Sequence, residues 1–348
     1  MTVEAGLGVA VVGCGLIGTR RAETAVAAGD RVVVTADVVA DRAATLAGRC
    51  GSPAWTADWH EALGRPGVDV VVVDTTNDQL EPVSVVALER GLHVLCEKPM
   101  GRTGQEARRI AEAAATTGAG VLKVGFTLRH HAAVRTAWDL VASGGIGEPM
   151  LVRSAYGHGG RLGYEKEWRA RPEIAGGGEL LDQGVHLIDL VGWFLGDLVE
   201  VSGRVTTSFW DMAPLEDNAF ATLVAAGGAT ATIHSSWTQW KNLFRFEVIG
   251  RDGSVTVDGL GGSYGPERAV VHRRPATFGA PSVEELPVLD PGRAWADEWA
   301  ELRSAVAESR TPLGSAADGL RAAQVVDAIY QSSSTGRAVA VGVVAPAT

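Results

Sequence analysis

Cysteine is scarce in this chain: three occur in 348 residues, at Cys14, Cys50 and Cys96. An odd, sparse set without a CxxC pair argues against a disulfide framework and against a cysteine-based metal site; we expect no metal. It points to a reducing, cytoplasmic compartment. No apolar run approaches the ~20 residues of a membrane span, so no membrane partner is expected. The stretch Met1 to Gly8 has no basic segment leading into an apolar core, and no signal peptide is read there. Basic residues are outnumbered, 31 Lys and Arg against 41 Asp and Glu, a formal net charge of −10. A surface of that sign repels phosphate backbones and speaks against nucleic acid as a partner. Internal repeats and long linkers are also missing.

What remains is ordinary globular composition, 46% hydrophobic and 21% charged, in a chain long enough for two domains. The first third alternates short apolar runs with helical periodicity. Strands are expected at 8–12, 31–36, 69–73, 93–96 and 121–126, with helices at 18–28, 41–50, 81–90 and 104–116. Valine-rich runs without polar alternation suit strands covered on both faces, and strand–helix repetition makes a parallel sheet. Near residue 126 the period changes. A helix at 132–143 leads to a strand at 149–156, a glycine-rich charged loop and a helix at 182–195. Alternating segments follow at 201–207, 219–225, 229–236, 244–249 and 254–257, with Gly227-Gly228 and Asp252-Gly253 as turn dipeptides. Helices at 295–308 and 316–330 close the chain. The expected fold is α/β: a doubly wound Rossmann domain over 1–126, then a substrate-binding and oligomerisation α/β domain over 127–348 with a large, mostly antiparallel open sheet.

Three motifs carry chemistry. Gly13-Cys14-Gly15-Leu16-Ile17-Gly18 follows a strand and opens a helix, the context a dinucleotide fingerprint requires. Its glycines allow the tight turn, the approach of pyrophosphate and the packing of helix on strand. Asp37, 19 residues after Gly18, ends the second strand, where a carboxylate accepts both ribose hydroxyls of NAD and repels the extra phosphate of NADP. Thr75, Thr76 and Asn77 end the third strand, where short polar groups line a nicotinamide ribose. The second motif is Glu97-Lys98-Pro99, just past another strand end. The third is Gly176–His186, in which Asp182 and His186 stand four residues apart, one turn apart on one helix face; the glycines before them let a ligand approach the backbone.

Together these three motifs resemble the glucose-fructose oxidoreductase/inositol dehydrogenase/MocA family, over about residues 6 to 340. The resemblance implies the two-domain fold, NAD or NADP as cofactor, homodimers or homotetramers, and oxidation or reduction of hydroxyls on sugars and inositols. It places the catalytic lysine on Lys98 and the paired acid and histidine on Asp182 and His186. One position departs from the pattern: many relatives carry a histidine where this chain has Leu80.

On this basis the expected activity is NAD-dependent oxidation of a secondary hydroxyl of a sugar, aminosugar, aminoglycoside or cyclic polyol. His186 or Lys98 serves as base, Lys98 stabilises the alkoxide, and Asp182 orients Lys98 or binds a neighbouring hydroxyl. Glu97 is counted with the cofactor site. Arg129, Tyr156, His158, Arg161 and Trp168 are further substrate candidates, Arg129 with a structural ion pair as its alternative. Glu165, Glu167, Glu173 and Glu179 suggest attraction of ammonium groups. Other readings are a keto-sugar reductase, an enzyme that retains NAD through a transient oxidation, and a non-catalytic sugar- or NAD-sensing regulator.

Overall fold

The computed structural model describes residues 6–118 and 120–342. Most of the Met1–Gly8 stretch, expected to carry no signal peptide, lies outside the described residues. Two compact units are formed: one from the chain up to Gly125 plus Trp295–Leu320, the other from Phe126–Ala294 plus the chain from Arg321.

The first unit holds a six-stranded sheet of β1 (Gly8–Val12), β2 (Arg31–Ala36), β3 (Trp55–Thr56), β4 (Val70–Val73), β5 (His93–Cys96) and β6 (Leu122–Val124), in the order β3-β2-β1-β4-β5-β6. Every pairing is parallel. Strand order reverses between β1 and β4, the switch point at which ligands sit in doubly wound sheets. The connections are α1 (Leu16–Ala27), α2 (Ala40–Cys50), α3 (Trp59–Leu63), α4 (Asn77–Glu89) and α5 (Gly104–Thr117). All four valines of β4 are buried, as a strand covered on both faces requires. Local chemistry sets the helix ends: Asp58 accepts from the His60 N–H, Thr103 from the Glu106 N–H, and α2 stops at Gly51 in the left-handed region.

A single cut after residue 126 does not describe the division. The helix Ala294–Glu308 returns to the first unit. Trp299 and Leu302 enter its core beside Val9, Val11, Leu46 and Val72, and the Trp299 Nε1–H donates to Asp30 Oδ2 at 2.7 Å. Glu298, fully buried, meets the Arg21 guanidinium at 2.7 Å.

In the second unit, α6 (Ala132–Ala142), β7 (Pro149–Gly157), a short α7 (Pro172–Ala175) and α8 (Val185–Leu195) precede β8 (Leu198–Thr206), β9 (Asn218–Ala225), β10 (Thr230–Ser236), β11 (Leu243–Gly250), β12 (Gly253–Asp258), β13 (Arg268–Arg273) and β14 (Ser282–Leu286). After α9 (Ala294–Glu308) and α10 (Ala316–Thr335) comes β15 (Val339–Ala340). The nine strands run in the order β14-β13-β12-β11-β7-β10-β9-β8-β15. All neighbours are antiparallel except β7 and β10, which pair in parallel from Leu151 with Thr230 to Gly157 with Ser236. One face is covered by α6 against β12 and β13 and by α8 against β7 and β10. Along β9, Ala219, Ala221, Leu223 and Ala225 point into that core while Phe220 stays 49% exposed on the other face.

Candidate active site

In the first unit the candidate cofactor residues lie at the ends of β1, β2, β4 and β5. After Val12 the chain turns through Gly13, whose φ of +96° favours glycine; a Cβ there would lie 2.2 Å from the Asp74 carbonyl oxygen. A Cβ on Gly18 would lie 1.8 Å from the Gly13 carbonyl oxygen, so this glycine lets α1 press onto its own loop. Gly15 differs: a Cβ would meet nothing within 4 Å. Its bare backbone faces open space at the N-terminus of α1, where no side chain caps the helix. The leading N–H groups, on Leu16 and Ile17, and the positive end of the helix dipole favour an anion at that spot. A pyrophosphate fits this cradle.

Asp37 is half-buried and fastened. Its Oδ2 accepts from the Cys14 N–H and its Oδ1 from the Val39 N–H, both at 2.8 Å. Each carboxylate oxygen carries a second acceptor site, so the group can hold the loop and still receive ribose hydroxyls. Burial, then the charge of Asp37, push the Cys14 thiol up to about 12, which leaves it a neutral filler.

At the end of β4, Thr75 and Thr76 are half-buried and Asn77 opens α4. Leu80, standing where many relatives carry histidine, is 1% exposed and belongs to the core. Beside them lies a charge cluster. Glu97 Oε1 accepts from Arg21 Nε at 2.9 Å and from Arg21 Nη2, while Glu97 Oε2 accepts from the Lys98 N–H at 3.1 Å. Glu97 therefore fastens the segment that carries Lys98. Arg21 is buried between Glu97 and Glu298; burial works against its charge, but the two carboxylates outweigh that and push the guanidinium up. Among the described residues neither carboxylate oxygen of Asp74 has a hydrogen-bond partner. Burial first, and the negative charge of Glu97 second, hold its carboxyl well above the usual range.

The second unit carries Asp182 and His186. The glycines ahead of them were expected to admit a ligand; instead they admit protein. A Cβ on Gly177 would lie 2.3 Å from the Tyr330 hydroxyl, and one on Gly178 would lie 2.0 Å from the Glu216 carbonyl oxygen. Glu216 is the clamp: its Oε1 accepts from the N–H groups of Gly178 and Leu180 and from the Tyr330 hydroxyl, at 3.1, 3.0 and 2.8 Å. Residues Leu180–Gly184 form a π-turn before α8 takes over, so Asp182 lies in the widened turn and not in regular helix. Such turns concentrate at functional sites. His186 is 8% exposed, its ring edge-on to Phe126 at 6.3 Å and to Tyr156 at 6.2 Å. Tyr156 bonds to Tyr264, which is also bonded by Gln183; burial and the Tyr264 charge raise the Tyr156 hydroxyl well above its ordinary value.

The remaining candidates divide. The structure gathers Tyr156, Asp182 and His186, and it brings Trp168 to them through Arg169, whose guanidinium lies 4.4 Å from the Trp168 ring centroid and 3.4 Å from Asp182 Oδ2. His158 Nδ1 accepts from the Gly160 N–H at 2.9 Å and its ring stands edge-on to Tyr164. Arg161 is bound by Glu167 at 2.6 and 2.7 Å. Arg129 is 3% exposed and paired with Asp189 through two contacts of 2.6 and 2.8 Å, which accounts for its charge without a ligand. The four glutamates do not make one open acidic face: Glu179 is fully buried and Glu167 is held by Arg161. Sequence reasoning missed Arg169, Gln183, Glu216 and Tyr264. Arg169, next to Trp168, and Gln183, inside the Gly176–His186 run, stood beside named residues; Glu216 and Tyr264 carried no such signal.

Comparison with known proteins gives a match in each unit. Residues 7–126 match the model described as oxidoreductase family, NAD-binding Rossmann fold, and residues 134–256 match the GFO/IDH/MocA C-terminal domain. A 1,5-anhydro-D-fructose reductase of Ensifer adhaerens is 30% identical over 318 residues, covering 90% of this chain and 91% of its own. An inositol 2-dehydrogenase 3 of Saccharopolyspora erythraea is 32% identical over 208 residues, 59% of this chain and 57% of its own. In fold, a levoglucosan dehydrogenase in complex with NADH superposes with a TM-score of 0.88, at 23% identity over 97% of this chain and 100% of that one. The chain belongs to the glucose-fructose oxidoreductase/inositol dehydrogenase/MocA family and is an NAD-binding oxidoreductase.

Proposed function

We propose that the protein oxidises a secondary hydroxyl of a neutral sugar or cyclic polyol to a ketone, with Lys98, Asp182 and His186 as the reacting group. NAD, when bound, supplies the hydride acceptor. On this reading Gly13, Gly15, Leu16, Ile17 and Gly18 hold the pyrophosphate, Asp37 the adenosine ribose, and Thr75, Thr76 and Asn77 the region of the nicotinamide ribose. Glu97 serves the cofactor side by fixing the backbone at Lys98. The Lys98 ammonium stabilises the alkoxide that develops as the hydride leaves. His186 takes the hydroxyl proton as general base. Asp182 accepts a hydrogen bond from the substrate, and Tyr156, His158 and Trp168 line the sugar.

The observation that carries this reading is the clamped π-turn: Glu216 and Tyr330 fix a turn whose only half-exposed side chain of chemical use is Asp182, one turn from His186. Preference for a neutral substrate follows from Arg169 beside Asp182 and from the dispersal of the four glutamates. The relatives named above act on an anhydro sugar and an inositol by their names, which fits. Because one relative is named a reductase, reduction of a keto-sugar by the same residues in reverse is the second reading. The exposed sheet face, where Phe220 stacks on His234 at 4.1 Å, is the surface through which we expect homodimers or homotetramers.

Formation of NADH against a panel of inositols, anhydro sugars, aldoses, aminosugars and aminoglycosides, with NADP in parallel, tests the proposal. Turnover of a neutral polyol with NAD supports it. A clear preference for aminoglycosides refutes the neutral assignment, and activity confined to keto-sugar reduction reverses the direction.

A further inference from the structure

Arg169 enters no motif that suggests the chemistry, yet its placement is specific. The residue sits in a single turn of 3₁₀ helix, Trp168–Ala170, 13 residues before Asp182. Its guanidinium is fixed by stacking on the Trp168 ring, 4.4 Å to the centroid. From there Nε reaches Asp182 Oδ2 at 3.4 Å. That distance is long for a strong hydrogen bond, so the anchorage comes from the ring and the electrostatic hold falls on Asp182. Both partners are only part-buried, at 30% and 19% side-chain exposure, leaving the pair open to a bound molecule. Tyr164, 2% exposed, packs beneath: burial raises its hydroxyl far above the ordinary range, Asp182 raises it further, and Arg169 pulls it down. The stack bears directly on Asp182, which lies in the π-turn, a feature frequent at functional sites.

We propose that Arg169 is a positioning residue: from its seat on Trp168 it holds the Asp182 carboxylate in the orientation that receives a substrate hydroxyl, and it cancels the attraction of that carboxylate for cationic substrates. The inference rests on the reading of Asp182 as a member of the reacting group. A lysine in its place supplies charge without the planar fork or the stack.

A double-mutant cycle decides the matter, using Arg169→Ala, Asp182→Asn and the double variant of the full chain, with NADH binding followed in parallel. Arg169→Ala is expected to lower kcat/KM by about 10- to 100-fold, the loss of one charge-assisted contact, with NADH affinity unchanged within about two-fold. The double variant should be no worse than Asp182→Asn by more than about two-fold, because Arg169 acts through Asp182. Arg169→Lys should recover part of the loss, and free guanidinium should restore part of the activity of Arg169→Ala. Should Arg169→Ala fail to fold, Arg169→Lys enters the same cycle. Losses that multiply in the double variant overturn the inference and leave the reading of Asp182 intact. Full activity of Asp182→Asn removes Asp182 from the reacting group, and the inference falls with it.

Discussion

Replacing Arg21 by methionine probes the cluster that holds the Lys98 segment. Arg21 is 2% exposed and bonds two carboxylates, Glu97 and the fully buried Glu298. Removing its charge leaves the buried Glu298 less fully compensated, with Lys123 at 3.8 Å. Breaking a buried pair on one side costs about 3–5 kcal/mol, against a total domain stability of about 5–15 kcal/mol. We expect a loss near 3 kcal/mol rather than about 5, because Lys123 offsets part of the Glu298 charge. The Arg21 guanidinium lies 4.7 Å from the Trp295 ring centroid, and the summed fluorescence of the ten tryptophans follows urea unfolding. Arg21→Met combined with Glu298→Gln should regain part of the loss, the charge balance of the cluster being restored. Turnover should also fall at low denaturant, because Glu97 loses the partner that fixes it while holding the Lys98 N–H. A destabilisation under about 1 kcal/mol would refute the view that this cluster is a mutually compensated buried network.

Three further outcomes are expected. Gly178→Ala places a Cβ 2.0 Å from the Glu216 carbonyl oxygen; backbone must shift, and turnover should drop by about 100-fold or more while NAD affinity is kept, read by steady-state kinetics and fluorescence titration. The folded-state pKa of Asp74 is raised above the ordinary 3.8 by burial, so the folded chain holds that proton more tightly than the unfolded one. Its contribution is then full below about pH 4 and is lost as pH rises through the raised value, and Asp74→Asn should gain stability on wild type across that rise in a series of melts. Asp37→Ser should weaken NAD by about ten-fold and narrow the gap to NADP, but through two routes, since Asp37 also fastens the Cys14 and Val39 N–H groups; unchanged NAD affinity would remove Asp37 from the cofactor site.

Much of the first unit is legible in the sequence because its signals are local. β1, β2 and β5 begin and end where the apolar runs do, and the fingerprint glycines each have a steric reason. Several elements have no such signal. β3 is two residues long, and β14 is exposed along most of its length, so neither shows an apolar pattern. The return of Ala294–Glu308 to the first unit depends on Arg21 meeting Glu298, 277 residues apart, which no periodicity encodes. Asp182 and His186 are four apart in π-turn as in α-helix, so their spacing suggests regular helix where the backbone is widened. The glycine run was legible as a close approach but not as to what approaches: Glu216 and Tyr330 lie far along the chain. For Arg129 the ion-pair alternative describes the structure, its partner Asp189 lying 60 residues along the chain on α8.

The most direct test of the account is single-turnover hydride transfer in Lys98→Ala and His186→Ala, with NADH binding measured on the same samples. The account predicts a fall of at least about 100-fold in the chemical step for each variant, with NADH affinity within a few-fold of wild type. Transfer at the wild-type rate in either variant would contradict the assignment of that residue to the reacting group.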